Sequence, residues 1–242
     1  MPETEAKIAL LAGAGGLAGT HTLDALLNAP DIARVFAVTR RPLGREHPRL
    51  ANRIVQFDRL EAQLKGVTCH VALCCLGTTI GQAGSDEEHR RVNVDYVLAF
   101  ARAAKAAQAQ RFVVLSRVGA DAGAPKASLR VKGEMEQGLA GLGFASLDIL
   151  QPGPLLGLRR HLRPLDLALL VGMPLINPLL LGPREVHRGV SAQTIGAAMV
   201  GATRSGRRGV QRYTYPHIRA LAKLKASRIA PLTPFKASSG AR

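Results

Sequence analysis

Acidic residues are scarce in this 242-residue chain: 17 Asp and Glu stand against 33 Lys and Arg, a formal net charge of +16, and none of the 17 follows Thr203. Such a balance directs the surface toward anionic partners without saying which. Cysteine is nearly absent too. Cys69, Cys74 and Cys75 make an odd number crowded into one apolar run, which excludes a disulfide framework and favours a reducing compartment, read as the cytoplasm. Strand alternation sends Cys69 and Cys75 one way and His70 and Cys74 the other, arguing for core packing and against a metal site. The positive start of a secretion signal is missing, since Glu3 and Glu5 precede the first apolar run. No uncharged run has the length of a membrane span. The nearest, "LALLVGMPLINPLLL" at 167–181, is short and broken by Pro174 and Pro178; it reads as a lid, a wall or an oligomer contact, with a peripheral membrane contact as the alternative. The histidines are scattered, with no HExxH, no GxSxG and no paired-histidine spacing. His89 is expected on the exposed face of its helix.

What is present is a 47% apolar chain, long enough for one substantial core and expected to form a single domain over 1–242. Strand and helix patterns alternate through residues 7–150. "KIALLA" (7–12), "RVFAVT" (34–39), "RIVQF" (53–57), "VTCHVALCCLG" (67–77), "RFVVLS" (111–116) and "ASLDIL" (145–150) read as strands. Helices are expected after the first glycines, over about 86–108 with Val94, Val97, Leu98 and Ala101 inward, and over 127–141. This alternation predicts an α/β fold, a doubly wound, mostly parallel sheet of Rossmann type. Beyond "QPGPLL" the pattern loosens. Residues 151–242 are expected to form a small cap and a basic C-terminal segment, with a helix near 192–203 and a strand at 209–215. That segment reads as a solvated surface, or else as a nucleic-acid contact with Tyr213, Tyr215 and Phe235 as stacking partners.

The glycine run "GAGGLAG" follows the first strand and opens the first helix, the context in which it binds a dinucleotide. Gly13 permits the sharp exit, Gly16 lets backbone approach a pyrophosphate, and Gly19 packs helix on strand, with Gly15 and Leu17 completing the turn. At the end of the second strand a carboxylate would select NAD(H). Here stand Arg40 and Arg41, phosphate clamps that predict NADP(H), unless they simply face water. Asp58, after the third strand, is placed to approach the adenine.

"GAGGLAG", "CCLGTTIGQAG", "VNVDYVLAFARAAKAAQAQRFVVLSRVGAD" and "RVKGEMEQ" together resemble the atypical short-chain dehydrogenase/reductases, in the Tat-interacting oxidoreductase-like branch, over residues 7–200. The resemblance implies a Rossmann fold carrying NADP(H), with Leu76, Gly77 and Thr78 beside the coenzyme. It also implies that Lys132 is the lysine that holds the nicotinamide ribose and lowers the pKa of a tyrosine four residues earlier. That tyrosine is here Ser128. Of the family's strand-end serine pair, Ser116 matches the first and Arg117 replaces the second. An aliphatic hydroxyl is far less acidic than a phenol, and losing a positioned general acid typically costs about 100- to 10,000-fold in rate. Three readings stay open: another donor such as Tyr96, Lys126 or water; a proton from the substrate; or a silent protein that binds NADP(H) to hold a surface for a protein partner.

Overall fold

The computed structural model describes residues 6–157, 172–173 and 176–224. Seven strands form one parallel sheet in the order β3-β2-β1-β4-β5-β6-β9. They are β1 (Lys7–Ala12), β2 (Ile32–Thr39), β3 (Leu50–Ile54), β4 (Val71–Cys74), β5 (Arg111–Leu115), β6 (Ser146–Leu150) and β9 (Gly209–Tyr213). Leu155–Leu156 (β7) and Val190–Ser191 (β8) make a separate parallel pair.

The inner strands are apolar on both sides because helices cover both sides. On one, Leu11, Leu73 and Val113 meet α1 (Leu17–Leu27), α7 (Ala192–Ala202) and α8 (Tyr215–Leu221) through Leu23, Leu26, Ile195, Met199 and Ile218. On the other, Leu10, Ala72 and Phe112 meet α5 (Tyr96–Ala106) and α6 (Ala127–Ala140) through Val97, Phe100, Met135 and Leu139. The chain order reverses between β1 and β4, which opens a crevice at the carboxyl ends of the strands.

Several boundaries differ from those read in the sequence. The third strand is Leu50–Ile54 and not 53–57, because Phe57 already starts a 3₁₀ turn that leads into α2 (Leu60–Gln63). The fourth strand is only Val71–Cys74, so strict alternation does not reach Cys69. Cys69 joins Cys74 on one side while Cys75 packs on the other. After α3 (Ile80–Ala83), the long helix is interrupted. Asp86–Arg90 (α4) passes through a π-helical turn, Arg91–Asp95, into α5. Val94, Val97 and Ala101 are buried as expected, whereas Leu98 is half-buried.

The sheet also continues past residue 150, since β9 lies beside β6 and α7 packs into the sheet's own core. Tyr213 and Tyr215 are buried in that core, so neither is free to stack on a base. Phe235, residues 225–242 and most of 158–175 lie outside the described residues. Among those described, no helix is long and apolar enough to cross a membrane.

Candidate functional site

The crevice starts at the exit of β1. Gly13 has φ +82, and a Cβ there would lie 2.6 Å from the carbonyl carbon of Cys75 and 2.8 Å from the nitrogen of Leu76. A Cβ on Gly19 would lie 1.9 Å from the Gly13 carbonyl oxygen. The first and third glycines are thus required by backbone packing. Gly15 and Gly16 are exposed, and Gly16 caps α1 without any side-chain hydrogen bond. The first-turn amides of α1, beginning at the half-buried Leu17, have no intrahelical acceptors, and with the helix dipole they suit a pyrophosphate. A nicotinamide dinucleotide therefore fits this turn: a Cβ would fill its tight positions, and the open ones face outward.

Leu76, Gly77 and Thr78 leave β4 against that turn. Asn93, buried in the π turn, donates from Nδ2 to the carbonyls of Thr78 (3.0 Å) and His89 (2.8 Å). A Cβ on Gly77 would stand 3.2 Å from Asn93 Oδ1 and 3.6 Å from Lys132 Nζ. The β4 exit, the π turn and α6 thus meet at Gly77. Asn93 escaped the sequence reading, although an asparagine inside an apolar helical stripe was a signal. His89 is corrected outright: it is buried, not on an exposed face. Burial pushes its pKa down and the Lys132 charge adds to this, which favours the neutral imidazole.

Lys132 is half-buried, with Nζ 3.5 Å from the Leu115 carbonyl, and burial pushes its pKa down to about 8. Ser128 lies one turn earlier on α6, and Arg117 Nη1 is 3.4 Å from its Oγ. The guanidinium stands where the second serine of the pair was expected. Ser116 is buried, and its Oγ donates to Glu136 Oε1 at 2.6 Å. With its one proton on a carboxylate, it is not aimed at a substrate carbonyl in this arrangement, and the orienting role expected for it would require that proton to turn. Glu136 is further held by Gln151 (2.8 Å) and Arg212 (2.9 Å).

At the exit of β2, Asn52 holds the Thr39 hydroxyl (2.7 Å) and accepts the Leu43 amide (2.9 Å), fixing the turn that carries Arg40 and Arg41. Both arginines are exposed, and neither makes an ion pair or hydrogen bond among the described residues. Asp58 is occupied: Arg91 pairs with it at 2.5 Å and the Tyr96 hydroxyl lies 3.3 Å away, and the Arg91 contact holds its carboxyl below the usual range. Asp58 and Tyr96 line an open pocket of about 390 Å³ together with Phe57, Arg91 and Arg102. Tyr96 also contacts Phe57 and Arg91, so its hydroxyl is engaged on that side and does not replace the missing phenol. Lys126 is an exposed cap residue of α6. Cys75 adjoins the glycine turn, but burial raises its thiol to about 11, which leaves it protonated at neutral pH.

No protein-family model matches the chain. It is 34% identical over 171 residues to the mitochondrial protein fmp52 of Aspergillus fumigatus, spanning 68% of this chain and 73% of that relative. It is 36% identical over 162 residues to HTATIP2 of Rattus norvegicus, 65% of this chain and 66% of the relative. FMP52 of Candida albicans, also named mitochondrial, is 31% identical over 159 residues, 62% and 67% of the two chains. Among solved structures, MoeE5 in complex with UDP-glucose and NAD superimposes with a TM-score of 0.62 at 20% identity, covering 85% of this chain and 75% of that one. WbmG of Bordetella bronchiseptica in complex with NAD gives 0.62 at 14% identity, covering 98% and 84%. The structures speak for the fold alone. The names of the fmp52 relatives overturn the cytoplasmic expectation, which rested on reduced cysteines; reduced thiols persist in any reducing compartment and cannot single out one.

Proposed function

The chain belongs to the fmp52 and HTATIP2 family, with its NAD(P)-binding Rossmann fold of short-chain dehydrogenase/reductase type, and from that premise we propose that it is an NADP(H)-dependent oxidoreductase acting on a carbonyl or alcohol. The observation that carries the reading is Lys132, whose ammonium stands at Gly77 on the far side of the β4 exit from the glycine turn. The α1 amides take the pyrophosphate, and Arg40 and Arg41 take the 2′-phosphate. A bound reduced nicotinamide supplies the hydride. Lys132 Nζ, near pKa 8, gives the accompanying proton to the carbonyl oxygen and is reprotonated from water. In the reverse direction its neutral amine accepts the alcohol proton.

The test is a calorimetric titration of NADPH and NADH, followed by absorbance at the nicotinamide band with a panel of carbonyl compounds. Arg40→Ser with Arg41→Ser should weaken NADPH by roughly ten- to hundredfold and leave NADH nearly unchanged. Equal loss for both coenzymes would reject the phosphate role. A second reading, a silent NADP(H)-binding protein that presents a surface to a partner, draws support from Ser128 and Arg117 in place of the family's hydroxyls. Tight NADPH binding with no turnover, unchanged in Lys132→Ala, would favour it.

A further inference from the structure

We propose that Arg117, Ser128 and Lys132 form a seat for an oxyanion carried by the substrate, so that the cleft takes carbonyl compounds bearing a carboxylate or a phosphate. This rests on the oxidoreductase reading, since it names where such a substrate's charge sits. Arg117 leaves the end of β5 and reaches Ser128 Oγ at 3.4 Å. Ser128 and Lys132 are four residues apart, on one face of α6. Lys132 Nζ in turn approaches the Leu115 carbonyl, two residues before Arg117, at 3.5 Å. Two cations and a hydroxyl therefore converge from the β5 exit and the first turns of α6.

Neither cation makes an ion pair among the described residues, although the Glu136 charge acts on Lys132 from beyond contact distance. Several arginines elsewhere do: Arg91 meets Asp58, Arg111 meets Asp148 and Arg204 meets Asp31. Glu136 is itself engaged by Ser116, Gln151 and Arg212. Like charges left together repel, and the Arg117 charge is second only to burial among the influences that lower Lys132. An incoming oxyanion would relieve that repulsion. The guanidinium fork matches the two oxygens of a carboxylate or phosphate, and the ammonium adds a point charge beside them. A neutral carbonyl compound offers nothing to balance a double positive charge. In a 2-oxo acid the carboxylate and the carbonyl lie on adjacent carbons, so Arg117 takes the first while Lys132 faces the second.

The experiment titrates oxamate and, separately, inorganic phosphate into the full chain by calorimetry, with and without saturating NADP+. The same titrations are run on Arg117→Ser. Arg117 is exposed and makes one long hydrogen bond, so the variant should keep its melting temperature, and its NADP+ affinity should stay within about twofold. At least one probe should bind the natural protein and bind Arg117→Ser roughly ten- to hundredfold more weakly. Oxamate alone would identify a carboxylate, phosphate alone a phosphate. No binding of either probe, or equal affinity in both proteins, overturns the proposal. Failure of NADP+ to bind would instead sink the oxidoreductase reading, and the coenzyme-free titrations still judge the seat.

Discussion

Gly13 and Gly15 are two residues apart, yet a methyl group added to each meets opposite surroundings. At Gly13 it enters a left-handed conformation and strikes the Cys75 carbonyl, whereas at Gly15 the nearest atom is Leu43 Cδ2 at 3.9 Å. Gly13→Ala should cost about 2 kcal/mol or more, and Gly15→Ala less than about 0.5, by thermal unfolding. Lys132 supplies a prediction with a pH sign. Its pKa in the folded chain, about 8, lies below the ordinary 10.5, so folding releases a proton between those values. Burial of the charge destabilises the native state below pH 8, and the penalty fades as pH rises to 10.5. Lys132→Met should therefore raise the melting temperature at pH 7 and lose most of that advantage by pH 10, while reductase activity of the natural protein should fall above pH 8. The tight turn at Gly13 and the close packing of Gly19 on the Gly13 carbonyl were legible in the sequence because a strand-to-helix turn imposes them locally, although the Cys75 backbone that also crowds Gly13 was not. The engagement of Ser116 by Glu136 and of Asp58 by Arg91 was not, since those partners stand 20 and 33 residues away.

At the scale of elements, the π turn at Arg91–Asp95 decides how the fourth crossover presents its carbonyls. Asn93 holds the β4 exit and the end of α4 together with two hydrogen bonds from one buried amide. Asn93→Ala should cost about 1 to 3 kcal/mol and weaken coenzyme binding, since Gly77 and Thr78 lose their support; thermal unfolding and an NADPH titration measure the two effects. An unchanged NADPH affinity would show that the β4 exit holds its place without the amide. Periodicity could not announce this turn, because Val94 and Val97 are inward on either reading. The same helix concealed His89: "DEE" before it suggested water, but α4 packs that residue inward toward Thr78 and Lys132. The strands were readable from their apolar runs. Their ends were not, because pairing with neighbours sets them.

For the molecule as a whole, residues expected to be an appendage are part of the sheet. Tyr213 donates to the fully buried Asp148 at 2.9 Å, and Asp148 also takes Arg111 at 2.6 Å. Arg204 reaches back across 173 positions to Asp31. A chain ending at Thr203 would bare the β6 edge and leave Asp148 without its tyrosine. It should show no cooperative melting transition, whereas a chain ending at Leu224 keeps every described element and should melt cooperatively; calorimetry distinguishes the two. Alternation revealed the first six strands of the sheet, and β9 was read as a strand at 209–215, but it lies 59 residues after β6 beyond leucine-, proline- and glycine-rich sequence, where no crossover pattern assigns it to the same sheet. Its parallel place beside β6 has a consequence during synthesis. Until residue 213 has cleared the ribosome, the growing protein carries one unprotected sheet margin. Its finished half must wait for its last strand, exposed to any chaperone or neighbouring nascent chain that arrives first.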